Sequence, residues 1–237
     1  MTFKELNEKL GGSEQESDWR QHKNGGGWVN KSATVDESAF IGGNAVVWGK
    51  VSDSARVYGD AWVSGNAWVS GNARVSGNAW VSGNARVSGN ARVYGNARVS
   101  GNAWVSGNAR VYGNAWVSGN ARVYGNARVS GNARVYGDAW VSGNARVSGN
   151  ARVYGNAWVY GNAWVYGDAW DKSPLFIVGS KYSLTNCKKG HIQIGCHCHE
   201  FDWWLKNGEK LAEEMQFTKE EIEEHRAYVE LFIKIGK

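Results

Sequence analysis

A six-residue repeat runs through the middle of the chain and limits its fold more than any other feature. Residues 51–170 repeat Val-Ser/Tyr-Gly-Asn/Asp-Ala-Arg/Trp with almost no deviation, and Val occupies every sixth position twenty times in succession. Such self-similarity indicates an array in which each unit buries its apolar side on its neighbours. The sequence therefore predicts one repetitive body with a short segment at each end.

Each hexad is predicted to form one short strand and one corner. Val and Ala are the only apolar residues common to all hexads, so they point inward, and the residues beside Val alternate with it and point outward. Gly followed by Asn or Asp is turn chemistry, because both residues tolerate positive φ. A helix is excluded, since Gly and β-branched Val recur in every hexad.

Runs such as Val-Ser-Gly-Asn-Ala-Arg resemble the hexapeptide repeat of left-handed parallel β-helices. The resemblance covers residues 29–170 and implies three hexads for each triangular coil and trimers about the rod axis. The left hand comes from the resemblance alone, because the ordinary crossover rule favours the other hand. The expected fold is an all-β solenoid: a left-handed parallel β-helix of about eight triangular coils, with a small C-terminal α+β module and a short N-terminal helix.

Three parts follow from these patterns. Residues 1–27 are an N-terminal helix and linker, residues 28–170 the β-helix, and residues 171–237 a capping or oligomerisation module. Thr2 and Glu5 form a capping box for the first helix, and Trp19 and His22 in the linker are interpreted as surface or linker packing. The step from Val47 to Val51 is four residues instead of six, which predicts a shortened corner or a less regular capping coil.

The tail has the pattern of strands followed by helices. Strands are predicted at 175–178, 182–186 and 191–194, and helices at 200–215 and 218–233, the second with a capping box of Thr218 and Glu221. Residues 192–232 resemble the terminal module that follows hexad arrays in bacterial and bacteriophage proteins. That resemblance implies a bacterial or phage origin and brings no active site.

Stacking by eighteen residues sorts the outward Arg and Trp side chains into three columns, and one is almost purely arginine. The first column is Arg56, Arg74, Arg92, Arg110, Arg128, Arg146 and Trp164. The second is Trp62, Trp80, Arg98, Trp116, Arg134, Arg152 and Trp170, and the third is Trp68, Arg86, Trp104, Arg122, Trp140 and Trp158. Beside the arginines, across Val, lie Tyr58, Ser76, Tyr94, Tyr112, Ser130, Ser148 and Tyr166.

Charge is concentrated in the repeats. The chain has a net charge of +5, and residues 51–170 hold eleven Arg against Asp53, Asp60, Asp138 and Asp168. A basic rod between nearly neutral ends favours an anionic partner, although arginine also keeps a repetitive β surface soluble. Both interpretations stay open.

The predicted ligand-binding set is the arginine column with its neighbours. It comprises Arg56, Arg74, Arg92, Arg110, Arg128, Arg146, Tyr58, Tyr94, Tyr112 and Trp164. Like charges at strand spacing repel each other, and an anion removes that cost. The outward Trp side chains are open to three interpretations: Trp–Arg stacking that stabilises the rod, stacking on nucleotides or single-stranded nucleic acid, or contacts between copies.

Catalysis has little support in the repeats. Many proteins of the resembled family are acyltransferases, and others are zinc-dependent carbonic anhydrases, with catalytic histidines on the coils. Here no His lies between Lys23 and Gly190, so no catalytic residue is carried over. Cys196 and His199 in the tail are weak metal candidates, and the favoured alternative is a strand end with thiols inward and imidazoles outward.

The leading hypothesis is a non-enzymatic, homo-oligomeric scaffold, with a trimer favoured, that presents Arg, Trp and Tyr to an anionic partner such as a nucleotide or nucleic acid. The alternative is an acyltransferase-like enzyme acting at a subunit interface or from the tail, with His199 or Cys196 as reactive group. A purely structural spacer comes third. No cofactor and no membrane span are expected, and three Cys without a disulfide framework favour the cytoplasm.

Overall fold

The computed structural model describes residues 1–167, 169–170 and 173–236, and only the backbone at 169–170. The predicted role of the Trp170 side chain and the charge of Asp168 lie outside the described residues.

The helices and strands follow the chain in this order. The N-terminal segment contains α1 (Phe3–Lys9), a 3-10 turn (Glu16–Asp18) and β1 (Trp19–Gln21). The coils contain β2 (Trp28–Asn30), β3 (Thr34–Val35), β4 (Phe40–Ile41), β5 (Val46–Val47), β6 (Lys50–Val51), β7 (Arg56–Val57), β8 (Trp62–Val63), β9 (Trp68–Val69), β10 (Arg74–Val75), β11 (Trp80–Val81), β12 (Arg86–Val87), β13 (Arg92–Val93), β14 (Arg98–Val99), β15 (Trp104–Val105), β16 (Arg110–Val111), β17 (Trp116–Val117), β18 (Arg122–Val123), β19 (Arg128–Val129), β20 (Arg134–Val135), β21 (Trp140–Val141), β22 (Arg146–Ser148), β23 (Arg152–Val153), β24 (Trp158–Val159), β25 (Trp164–Tyr166) and β26 (Ala169–Trp170). The tail contains β27 (Phe176–Val178), β28 (Ser183–Lys188), β29 (His191–Ile194), β30 (His197–Glu200), α2 (Phe201–Glu214) and α3 (Lys219–Ile235).

The coil strands stack into three sheets, one for each side of the rod. The arginine sheet is formed by β4, β7, β10, β13, β16, β19, β22 and β25. Sheet two is formed by β1, β2, β5, β8, β11, β14, β17, β20, β23 and β26, and sheet three by β3, β6, β9, β12, β15, β18, β21 and β24. The structure confirms the predicted solenoid of about eight coils with its two end modules; the left hand stays a prediction.

Strand register follows the predicted eighteen-residue stack through the regular coils. Arg74 pairs with Arg92, and Val75 with Val93, and the same pattern recurs along all three sheets. The last strand of sheet two differs, because Ala169 pairs with Arg152 and Trp170 pairs with Val153. The second column therefore ends one residue out of the predicted register.

The interior of the rod contains little besides Val and Ala. These two residues are fully buried in every hexad from Val51 to Val165. Between coils, backbone amides donate to carbonyls of the next coil, as Arg92 N does to Ala109 O at 2.9 Å. Since each coil satisfies its neighbour's backbone groups and covers its side chains, stability is shared along the stack.

The four-residue step produces the predicted shortened corner. Val47 pairs with Val63 and Val35 with Val51, so this coil has sixteen residues where the later ones have eighteen. Gly49 lies in the corner, and a Cβ there would meet Ala67 O at 2.6 Å. Removal of two residues keeps the inward and outward alternation in phase, because side chains alternate with a period of two.

The segment before the coils is a cap. Trp19 and His22 are buried, whereas we predicted surface or linker packing. Strand β1 pairs antiparallel with β2, and the loop after it covers the open edge of β4: Ile41 N donates to Asn24 O at 3.0 Å, and Gly27 N donates to Ile41 O at 2.8 Å. The edge therefore has few free backbone groups to recruit another chain.

The tail covers the other end. Phe176 packs on the Val and Ala core, and its ring lies 5.8 Å from that of Tyr160. The amide of Trp158, in the last strand of sheet three, donates to Ser173 Oγ at 2.9 Å. These contacts favour a capping role for the module.

Within the tail, β27 to β30 form a four-stranded antiparallel sheet packed against α2 and α3. Both predicted capping boxes are confirmed, at Thr2 with Glu5 and at Thr218 with Glu221. Strand β30 agrees with the favoured interpretation of the Cys and His cluster as a strand end, but the strand begins at His197, and Cys196 is exposed, so the prediction of an inward thiol is wrong for Cys196.

Corner glycines provide a test of how tightly the coils stack. Gly101 has φ +67°, and a Cβ there would lie 3.0 Å from both N and O of Gly119. Gly149 has φ +63° but would meet Gly167 N only at 3.7 Å. We expect Gly149→Ala to cost about 1–2 kcal/mol for its left-handed backbone, and Gly101→Ala to cost clearly more.

The measurement is the urea midpoint of each variant by circular dichroism. Equal midpoints for the two variants would mean that close contact between corners does not limit the side chain at this position.

Candidate anion-binding face

The arginine sheet presents its charged side chains in a single line. Within this sheet, the strands β7, β10, β13, β16, β19 and β22 each begin with Arg, followed by a buried Val that fixes the outward direction of its neighbours. Five of the six arginines are exposed and Arg110 is half-buried. The predicted column Arg56, Arg74, Arg92, Arg110, Arg128 and Arg146 is therefore brought together, at about 4.8 Å per step.

The middle of this column has no partner among the described residues. Arg56 lies over the ring of Phe40 at 4.7 Å, and Arg146 over that of Trp164 at 5.7 Å. No ion pair, hydrogen bond or ring contact in the described part of the chain involves the side chains of the four arginines between them. Those four are Arg74, Arg92, Arg110 and Arg128.

This arrangement carries an electrostatic cost. Two unit charges about 4.8 Å apart in water repel by roughly 1 kcal/mol, and salt reduces that figure. The strand register fixes the spacing of successive arginines along the rod, so the chain cannot lower this repulsion by moving them apart. An anion placed across the column offsets the repulsion of several arginines together.

Tyrosine and serine lie beside the arginines on the far side of each Val. Tyr94 and Tyr112 stack face to face, with centroids 5.0 Å apart and planes 2° apart. Trp164 closes the column, because its indole Nε1 donates to Ser148 Oγ at 3.2 Å while its ring meets Arg146. Tyr58 is half-buried beside Arg56.

The other two sheets use arginine differently. Arg86, Arg98, Arg122 and Arg134 each lie over a Trp ring of an adjacent coil, at 4.9–6.0 Å. Cation–π contacts of this kind are typical of stabilising surface pairs. The Trp–Arg stacking interpretation therefore holds for these four pairs on sheets two and three and for Arg146 with Trp164 on the arginine sheet.

Tryptophan also contacts serine diagonally across the sheet. The indole Nε1 of Trp68 donates to Ser52 Oγ at 2.9 Å, and Trp80, Trp104 and Trp116 make the same bond to a serine sixteen residues earlier. Trp140 has Tyr124 at the corresponding place and stacks on Trp158 with planes 5° apart. These bonds were not predicted from the sequence.

Asparagine ladders run along the three corners and were also missed. The amide of Asn78 donates to Asn96 Oδ1 at 3.0 Å, and the chain of bonds continues through Asn114 and Asn132. Equivalent ladders begin at Asn66 and Asn90. The signal was present, because Asn recurs at the same eighteen-residue period as Arg. The arginine sheet is therefore bordered by two rows of amides.

The Cys and His side chains of the tail form neither a metal-binding site nor a catalytic site among the described residues. Cys187 and Cys198 are joined by a disulfide, which we did not predict, and Cys196 is exposed. A register shift in β28 around Cys187 explains the pairing, since a bulge redirects a side chain toward a strand that is not its neighbour. Disulfides are typical of oxidising compartments, so the cytoplasmic location stays a prediction without support from the fold.

His199 lies against aromatic rings. Its centroid is 3.5 Å from that of Trp203, and burial, followed by the charges of His197 and His191, lowers its pKa below the usual value. Within the described residues no group of three or more His, Cys, Asp or Glu side chains is arranged to hold a metal ion. Cys196 and His199 therefore remain separate residues rather than a site.

Comparison with known proteins gives a match in the repeats. Nine segments match the family described as YdcK Beta solenoid repeat, and all but the last overlap their neighbours: 55–71, 67–83, 79–93, 91–107, 103–119, 115–129, 121–137, 127–143 and 145–161. The chain is a repeat β-solenoid protein. None of the curated proteins compared with it matches. In the part of the chain that is described, no helix combines the length and apolar character needed to span a bilayer.

The repulsion along the arginine column can be measured through stability. Arg92→Glu places a carboxylate between Arg74 and Arg110, in register with both. We expect it to stabilise the rod by about 0.2–1 kcal/mol at low salt, because cross-strand pairs of opposite charge are favourable. The gain shrinks in high salt, where charges are screened.

Thermal unfolding at two salt concentrations provides the measurement, with Arg92→Gln as the neutral control. A glutamate variant that is less stable than the glutamine variant at low salt would show that the column carries no appreciable repulsion.

Proposed function

We propose that this protein is a non-enzymatic scaffold whose arginine sheet binds an anionic partner, with a nucleotide or nucleic acid as the expected class. The observation that carries the proposal is the run of guanidinium groups from Arg74 to Arg128, which have no partner among the described residues and are held in register by the sheet. Guanidinium is the side-chain group best suited to phosphate recognition, because its planar fork donates to two oxygens at once.

Placement of charge supports binding over solubility alone. On sheets two and three Trp interrupts the arginines, and Arg86, Arg98, Arg122 and Arg134 each lie over a Trp ring while staying exposed, so the charge is spread along the sheet. A surface needed only for solubility has no reason to collect an uninterrupted line of charges of one sign on one face. The arginine sheet does so over six consecutive coils.

The acyltransferase alternative gains nothing from the tail. Cys196 is exposed with no histidine bonded to it among the described residues, and the ring of His199 is stacked against Trp203. A nucleophile needs a base within hydrogen-bond reach, and in the described part of the chain neither residue has such a neighbour. The structural-spacer interpretation is the competitor that remains, and binding experiments separate it from ours.

The decisive experiment reverses charge on one face at a time. Arg92→Glu/Arg110→Glu changes the arginine sheet, and the matched control Arg98→Glu/Arg134→Glu changes sheet two with the same loss of net charge. We expect the first variant to lose at least about tenfold in affinity for single-stranded DNA, since two phosphate contacts become repulsive, and the control to lose much less.

Fluorescence anisotropy at a fixed salt concentration gives the affinities, and circular dichroism verifies that both variants keep the fold. Equal losses of affinity in the two variants would mean that binding depends on net charge and not on the arginine sheet. If the unmodified protein does not bind, only the structural-spacer interpretation remains.

We also propose that copies assemble through the tryptophan faces into a trimer, as in the hexapeptide-repeat family that the sequence resembles. Exposed tryptophans of the repeats lie on sheets two and three, among them Trp80, Trp104 and Trp116, whereas Trp164 on the arginine sheet is half-buried. Large exposed aromatic surface typically marks an interface. Assembly through these faces leaves the arginine sheet open to its partner.

Native mass spectrometry tests the assembly. We expect a species of three times the 26.0 kDa chain mass. Trp80→Arg/Trp116→Arg, which copies the residue of neighbouring coils, is expected to weaken the trimer because it removes apolar contact area and adds charge. A monomer at micromolar concentration would contradict the proposed trimer and would not affect the proposal that the arginine sheet binds an anion.

A further inference from the structure

We infer that the partner of the arginine sheet is a linear phosphate polyanion that lies parallel to the rod and is bound through its charges, without stacking of bases. This inference rests on the proposed function and specifies its ligand. It excludes a single nucleotide as the natural partner and makes the identity of the bases irrelevant to affinity.

The repeat of the column determines the shape of the ligand. Arg74, Arg92 and Arg110 occupy equivalent places on successive strands, and the same holds for every arginine from Arg56 to Arg146. In the described part of the chain no ion pair distinguishes one position of the column from the next. A ligand that matches such a surface has charges that recur along one direction, over about 24 Å for six strands at sheet spacing.

The aromatic residues beside the column do not share this repeat. In the coils from Tyr58 to Ser148 the neighbour of Arg is Tyr, Ser, Tyr, Tyr, Ser and Ser in turn. Tyr94 and Tyr112 also cover one another, with planes 2° apart. Successive bases of a bound strand would therefore meet no regular series of ring faces, whereas their phosphates would meet an arginine at every coil.

Donors at the borders suit the same ligand. Ser76, Ser130 and Ser148 are half-buried beside the arginines, and their hydroxyls can donate to phosphate oxygens. The asparagine amides on both corners are committed to one another along the ladders, for example Asn90 to Asn108 at 3.2 Å. Recognition is therefore left to charge and hydroxyl groups, which read a backbone and not a base.

The test compares probes that differ in one property. Three have eleven phosphates each: dT12, an abasic deoxyribose-phosphate dodecamer and inorganic polyphosphate of eleven units. The fourth is a single nucleotide, dTMP. We expect the abasic strand to bind within about threefold of dT12, because none of the bases is expected to stack. Each base that did stack would raise the affinity of dT12 by at least about fivefold. We expect dTMP to bind at least about a hundredfold more weakly, since it reaches one or two arginines.

Salt dependence and chain length provide a second readout. Contact with six phosphates of a single strand predicts a slope of log affinity against log salt of about −4, and affinity that rises with length up to about six phosphates. Arg92→Gln/Arg110→Gln is expected to reduce the slope by about 1.4. Tyr94→Ser/Tyr112→Ser, which removes two residues of the ligand-binding set predicted from the sequence, is expected to leave this slope unchanged, because the slope counts phosphate contacts and not base contacts.

The outcomes separate the two proposals. Binding that is lost in Arg92→Glu/Arg110→Glu but falls more than tenfold when bases are removed, or when Tyr94 and Tyr112 become serine, overturns this inference and leaves the proposed function standing. Tight binding of dTMP does the same. If none of the four probes binds, both proposals fall. Equal affinity for polyphosphate and the abasic strand supports the inference and shows that the sugar is not read.

Discussion

The in-register stacking of equal coils is the constraint on which the rest of the molecule depends. Backbone amides of one coil bond to carbonyls of the next, and the buried Val and Ala layer requires each coil to lie directly on its neighbour. Once that register holds, a surface residue meets the residue eighteen places along. Arginine lines, asparagine ladders and Trp–Arg pairs are consequences of one backbone geometry.

The same geometry explains why the body of the fold follows from sequence. Val93 and Arg92 could be placed, one inside and one outside, because alternation and period leave no other solution. The sixteen-residue coil followed from counting between Val47 and Val51. The alignment of the column from Arg56 to Arg146 likewise follows from the eighteen-residue period. The period could not predict that these arginines have no acidic partner among the described residues, and that came from the structure.

Features that depend on unique contacts were beyond that reasoning. The burial of Trp19 and His22 requires knowledge that the loop after β1 folds over Ile41. The disulfide of Cys187 with Cys198 depends on a bulge that the local sequence does not predict. The Trp–Ser bonds need the tilt of the indole across Val, which is a choice of rotamer and not of sequence spacing.

The shortened corner at Gly49 has a consequence for how such a chain can change its length. Two residues can leave a corner without disturbing which side chains face the core, since the alternation is preserved. A gain or loss of six residues would instead move every later strand to the next of the three sheets, because one hexad fills one side of a coil. Arginines would then stack on tryptophans. A rod with a continuous charged face can therefore lengthen only by whole coils, and the number of coils sets the length of anything aligned along it.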